Sequence, residues 1–144
     1  MSKKIQYYST NHKSEPVSFS EALLKGLAYD GGLFMPESIP QFSKDEIDSL
    51  KSKEYYEIAF EVLNKFLKDD IESSELFKMV KDAYNFSVPL EKVYERKYIM
   101  RLDRGPTASF KDFAARMMGR MMQYFLNKNN RQLLILTATS GDTG

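Results

Sequence analysis

The sequence contains no cysteine, which excludes disulfides, thiolate zinc sites and a cysteine nucleophile. Its one histidine, His12, rules out a two-histidine metal motif and leaves a serine–histidine triad open only if His12 itself reaches the serine. We expect no metal. Net charge is nearly absent as well: 21 Lys and Arg against 20 Asp and Glu leave +1, too little for the basic footprint of a nucleic-acid or anionic-membrane binder. No run approaches the ~20 apolar residues that cross a bilayer. Residues 1–10 carry two lysines among polar and aromatic residues, without the apolar segment of a leader. These absences point to a cytoplasmic protein of small-molecule chemistry, with neither nucleic acid nor membrane as partner.

What is present is enough to fold. Hydrophobic residues make up 42% of the 144, far above the composition that stays disordered, and the length allows one compact domain or two small ones. There is no internal repeat. The character of the sequence changes near Ser87, Val88 and Pro89, so we expect a mainly helical domain over 1–88 and an α/β segment over 89–144.

In the first segment, residues 5–9 suit a short strand. Ser18 and Glu21 stand three apart, the spacing of a capping box, and open a helix expected to reach Ala28 with Phe19, Ala22, Leu23, Gly26 and Leu27 on one face. Asp30, Gly31 and Gly32 supply turn chemistry. Ser43 and Glu46 repeat the capping-box spacing. Helices are predicted over 53–67, with Ile58, Ala59, Val62, Leu63, Phe66 and Leu67 in one stripe, and over 74–85. Tyr55, Tyr56, Tyr84 and Phe86 recur at helical spacing and are read as core, and the alternating charges between them as a solvated surface.

The second segment changes period. Residues 97–102 and 133–138 read as strands, the latter near-continuously apolar like a strand covered on both faces, and an amphipathic helix lies between them. Strand, helix, strand is a βαβ unit, which implies a parallel pair with a right-handed crossover. The fold class is therefore α/β.

Two motifs carry chemistry. In the first, Gly105-Pro106 turns the chain out of the strand, and Ser109 with Asp112 has capping-box spacing, so the helix is expected to open at Phe110. Phe110, Phe113, Ala114, Met117, Met118, Met121, Met122 and Phe125 then form the apolar stripe, and Lys111 lies off it. Near the positive end of a helix dipole an ammonium is disfavoured by ~0.3–1 kcal/mol, which favours the neutral amine that attacks an aldehyde. The alternative is a surface lysine paired with Asp112. The second motif is Thr137, Ala138, Thr139, Ser140, Gly141, Asp142, Thr143 and Gly144, whose backbone N–H groups can cradle a carboxylate or phosphate, or which simply form a turn. It lacks the residues of a P-loop or a dinucleotide fingerprint. In a βαβ unit both loops fall where such folds place ligands.

At these residues the sequence resembles the threonine synthase family, pyridoxal-phosphate enzymes of the tryptophan-synthase-β, or fold type II, group. Ser18-Phe19-Ser20-Glu21-Ala22 through Gly31-Gly32-Leu33-Phe34-Met35-Pro36 is similar to the family's amino-terminal signature. Gly105-Pro106-Thr107 through Phe110-Lys111-Asp112-Phe113 is similar to its cofactor-lysine motif, and Ile135 through Gly144 to its small-residue loop. The resemblance implies that the chain holds the mainly helical first domain and the first βαβ unit of a truncated fold type II parallel sheet. It implies that Lys111 binds pyridoxal 5'-phosphate covalently and then moves protons, and that Phe110 lies against the cofactor. Thr139, Ser140, Gly141, Asp142 and Thr143 would hold the substrate carboxylate, with Asp142 also near the cofactor. The implied reaction converts O-phospho-L-homoserine and water to L-threonine and phosphate.

The chain departs from the family in two respects. Leu102-Asp103-Arg104 stands where many members have Leu-Phe-His, so no histidine role transfers, although Arg104 offers positive charge to a phosphate. It is also several hundred residues shorter, which implies an early segment of a longer enzyme, inactive alone, with exposed methionines on the Met117–Met118–Met121–Met122 stripe. The competing readings are another fold type II enzyme, such as a serine/threonine dehydratase or a cysteine synthase relative, and a non-catalytic helical module that binds a partner through that stripe. Oligomeric state is not legible.

Overall fold

The structure, a computed structural model, describes residues 4–141. The chain forms two compact units. The first takes in the chain up to Lys53 together with Ile58–Phe77, and the second takes in Glu54–Glu57 and the described chain from Lys78 onward.

The first unit begins with β1 (Tyr7–Ser9), α1 (Phe19–Lys25) and β2 (Phe34–Pro36). β1 and β2 pair antiparallel, Tyr7 opposite Pro36 and Ser9 opposite Phe34. The predicted capping box forms: Ser18 Oγ accepts from the Glu21 N–H, and the Glu21 carboxylate accepts from the Ser18 N–H. α1 stops short of the expected Ala28 because Gly26 takes φ 74°, a left-handed conformation that glycine adopts without steric cost, and its N–H closes on the Ala22 carbonyl. Leu27 thereby leaves the helical face, bridges to Leu33 and stays exposed.

The turn that follows is organised by one carboxylate. Asp30 accepts from the Ser9 hydroxyl (2.6 Å), the Gly32 N–H (3.1 Å) and the Lys13 N–H (2.8 Å). These donors, Ser9 foremost, hold the Asp30 carboxyl down at about 2. Gly32 is required by close approach, since a Cβ there would lie 2.1 Å from Ser9 Oγ and 2.9 Å from the Asn11 nitrogen.

Further along, α2 (Lys44–Ser49) opens with the second predicted capping box, Ser43 with Glu46, and passes through a single 3-10 turn, Leu50–Ser52. α3 spans Tyr55–Leu67 and α4 spans Ser73–Ala83, each within two residues of expectation at either end. Leu67, Ile71 and Leu76 are fully buried apolar side chains of the first unit's core, and each contributes roughly 1.5–3 kcal/mol by leaving water. Phe60 and Phe77 meet edge to face at 5.2 Å. Val62, expected on the buried stripe, is exposed.

The second unit holds β3 (Leu90–Tyr94), β4 (Lys97–Met100) and α5 (Asp112–Lys128). The strand expected over 97–102 forms as β4, but its partner is the preceding β3 in an antiparallel hairpin, with Glu95 at φ 43° in the turn. The strand expected over 133–138 does not form: this stretch makes no ladder, and Leu134 and Leu136 are 80% and 85% exposed. Both sheets among the described residues are two-stranded and antiparallel, so the βαβ unit is not closed within them. A parallel strand that is apolar on both faces forms only with neighbours alongside it and cover above and below, and residues 133–138 have neither here. The mixed α/β class stands.

α5 buries Met117, Met121, Phe125 and Leu126, as its period requires. Met118 is exposed and Met122 half-buried, so a stripe exposed as a whole is corrected to a buried seam with Met118 beside it. Among the described residues no helix is long and apolar enough to cross a membrane.

Candidate active site

The approach to α5 is shaped by Asp112. The Ala108 N–H closes on the Gly105 carbonyl (3.0 Å) with Ala108 at φ 56°, which brings Thr107 over the helix start. Asp112 Oδ2 accepts from the Thr107 N–H (2.9 Å) and Oδ1 from the Thr107 hydroxyl (3.0 Å). Asp112 is only 5% exposed, so both bonds are shielded from water. Gly105 makes room for it: a Cβ there would sit 2.3 Å from Asp112 Oδ2 and 2.8 Å from its Cβ.

This corrects the predicted cap. Ser109 and Asp112 have the spacing of a capping box but do not make one, because the Asp112 carboxylate turns back to Thr107 instead. The Ser109 hydroxyl accepts from the Lys111 N–H (3.3 Å), and the Asp112 N–H bonds the Ser109 carbonyl (3.1 Å). The helix accordingly begins at Asp112, two residues later than expected, and Lys111 is its N-cap, with φ −66° and ψ −18° already helical. The Lys111 carbonyl accepts from the Ala115 N–H at 2.9 Å.

Lys111 is therefore fixed at the helix threshold, half-buried, with Nζ 5.9 Å from the centroid of the Phe110 ring. Phe110 itself is 62% exposed: standing before the helix, it falls out of phase with the buried stripe. Ala114, expected on the buried stripe, is exposed. The structure thus brings Phe110 and Lys111 together.

Two residues beyond Lys111, Phe113 joins an aromatic cluster whose other members helical spacing assigns to the core. Tyr55, Tyr84, Phe86 and Phe113 pack around one another, with Tyr55 edge-on to both Tyr84 (5.4 Å) and Phe113 (5.6 Å). Tyr84 Oη donates to the Phe113 carbonyl at 2.9 Å. Burial, helped by Tyr55, pushes the Tyr84 phenol up to about 12, so it remains a donor throughout the neutral range. Arg116 Nε and Nη2 donate to the carbonyls of Ala83 (2.7 Å) and Asp82 (3.0 Å), capping the carboxyl end of α4, while Arg120 pairs with Asp82. Nothing in the local sequence marks the arginine contacts, which join residues more than thirty apart.

Of the second motif, Thr137, Ala138, Thr139, Ser140 and Gly141 are described, and Asp142, Thr143 and Gly144 lie outside the described residues. Residues 137–141 are exposed; the Gly141 N–H bonds Thr139 Oγ1 at 3.0 Å, and Gly141 has φ 128°. Arg104 lies 3.9 Å from Glu91, which also takes a 2.6 Å pair from Arg101. No group of three or more acidic or histidine side chains among the described residues could hold a metal.

Residues 6–84 match the family described as Threonine synthase N terminus. Over nearly its whole length the chain is similar to threonine synthases: 36% identical to that of Pseudomonas aeruginosa, covering 97% of this chain and 31% of the relative, and 35% identical to that of Escherichia coli, covering 97% and 32%. Among solved structures, Escherichia coli threonine synthase superposes with a TM-score of 0.86 at 35% identity over 96% of this chain and 32% of that one. The pyridoxal-phosphate-bound threonine synthase of Brucella melitensis superposes with a TM-score of 0.84 at 37% identity over 88% and 28%. The chain spans about a third of the length of the relatives it matches. On this family match, joined to an α/β fold shared with fold type II structures, the chain belongs to the threonine synthase family.

Proposed function

We propose that these residues supply the amino-terminal domain (1–88) and the cofactor-attachment lysine (within 89–144) of an enzyme that converts O-phospho-L-homoserine and water to L-threonine and phosphate. The observation that carries this reading is the Lys111 amine, set at the threshold of α5 by a buried carboxylate-centred turn and flanked by the exposed ring of Phe110. One amine beside one exposed aromatic ring fits an aldehyde cofactor with a planar ring, and a relative of the same fold is described as pyridoxal-phosphate-bound.

In this reading Lys111 Nζ would hold pyridoxal 5'-phosphate and would take and return protons at the substrate carbons. When bound, the cofactor supplies an electron sink for carbanions at those carbons. Phe110 would lie against the cofactor ring. Backbone N–H groups of Thr139, Ser140, Gly141, Asp142 and Thr143 hold the substrate carboxylate, and Asp142 approaches the cofactor. The small side chains of that loop suit close approach of backbone to an anion. The place of the reaction is cytoplasmic threonine biosynthesis, a lyase step that releases phosphate. We expect no turnover from the 144 residues alone, which span about a third of the relatives' length.

The test is turnover. Full-length protein loaded with pyridoxal phosphate should release phosphate and L-threonine from O-phospho-L-homoserine, and Lys111→Ala should lower the rate by at least about a thousandfold. Turnover that survives Lys111→Ala, or a full-length protein inert toward this substrate, would refute the reading.

A further inference from the structure

We infer that Tyr84 is a positioning residue for Lys111, acting through the Phe113 carbonyl. The inference rests on the reading of Lys111 as the cofactor lysine. Its observation is separate: the Tyr84 hydroxyl donates at 2.9 Å to the carbonyl of Phe113, two residues beyond Lys111 and within the first turn of α5.

The geometry makes this bond more than a packing detail. The lysine side chain leaves the helix at its N-cap, where the backbone is held by fewer intrahelical bonds than in the middle of α5. Two bonds fix the side that precedes the helix, Thr107 N–H and Oγ1 to the Asp112 carboxylate. On the side that follows, the Phe113 carbonyl is gripped by the Tyr84 hydroxyl. Lys111 sits between the two grips. The ring of Tyr84 is itself immobilised, edge-on to Tyr55 at 5.4 Å and near Phe113 at 6.2 Å. α4, which Tyr84 directly follows, is tied to α5 by the two arginines, so the hydroxyl is delivered from a fixed base. A reacting amine displaced by about 1 Å costs on the order of a hundredfold in rate. Release of one of two grips on a single helical turn should cost part of that.

Tyr84→Phe keeps the ring cluster and removes only the hydroxyl. In full-length protein loaded with pyridoxal phosphate we expect about a tenfold fall in kcat with KM within about twofold, slower borohydride trapping at Lys111, and a displaced midpoint in the pH titration of cofactor absorbance. Phe86→Leu, which loosens the same cluster without touching the hydrogen bond, should lower thermal stability and leave that midpoint in place. 3-Fluorotyrosine in place of Tyr84 restores a hydroxyl in an almost unchanged volume and should return kcat to within about twofold of wild type. Unchanged kcat and midpoint in Tyr84→Phe, while wild type still yields the Lys111 adduct, would overturn the positioning role alone. Equal displacement of the midpoint by Phe86→Leu would also overturn it. Absence of any adduct at Lys111 in wild type would remove the cofactor reading, and this inference with it.

Discussion

The carboxylate of Asp112 accepts from both the backbone N–H and the hydroxyl of Thr107, at 2.9 and 3.0 Å, and so ties the helix that carries the methionine seam to the turn before it. This short closed loop is one of the two grips that hold Lys111. Its integrity can be tested from either end.

Gly105→Ala would place a Cβ 2.3 Å from Asp112 Oδ2 and 2.8 Å from its Cβ. The carboxylate would have to move and give up Thr107. Urea denaturation of the full-length protein should show a loss of about 1–3 kcal/mol. Asp112→Asn, which keeps the volume but leaves only one accepting oxygen for two donors, should cost about 1–2 kcal/mol. A wild-type midpoint in Gly105→Ala would mean that the turn is not packed as described.

A second prediction concerns acid. Asp30 is held at about 2 in the folded chain, against an ordinary value of 3.8, by Ser9 and the N–H groups of Gly32 and Lys13. A depressed carboxyl contributes stability that is present above its unfolded value and is lost as pH falls toward the folded one. Thermal midpoints should therefore fall more steeply between pH 4 and pH 2 in wild type than in Asp30→Asn, with the two curves parallel above pH 5. Identical acid limbs would show that the carboxylate is not gripped by those donors.

Third, Arg116→Met keeps much of the side-chain stem but removes the donors to the carbonyls of Ala83 and Asp82. Loss of this cap should lower stability by roughly 1–2 kcal/mol. Amide exchange should rise most in the last turn of α4 and the first two turns of α5. Uniform protection across both helices would contradict the clamp.

How much of this was legible in the sequence follows from the range of each interaction. Ser18 with Glu21 and Ser43 with Glu46 satisfy each other within four residues, so spacing alone foretold both caps. The seam of Met117, Met121 and Phe125 follows from helical period. Ser109 and Asp112 have the same spacing as the true boxes, and the forecast failed there because Thr107, five residues back, offers Asp112 two donors at once. β3 carries no strand signal in the sequence because Glu91 and Lys92 break the apolar alternation of Leu90–Tyr94; the hairpin register pairs them with Ile99 and Tyr98. The run from Leu133 to Leu136 reads as a covered strand, but covering is tertiary and no sheet neighbour adjoins it here. The Tyr84 and Arg116 contacts bridge some thirty residues and leave no periodic trace.

The most direct measurement of the central claim is borohydride reduction of the full-length protein with pyridoxal phosphate, followed by peptide mass mapping. The account predicts a single dominant pyridoxyl adduct on Lys111. A dominant adduct on any other lysine, or none under conditions where a known threonine synthase is fully labelled, would contradict it.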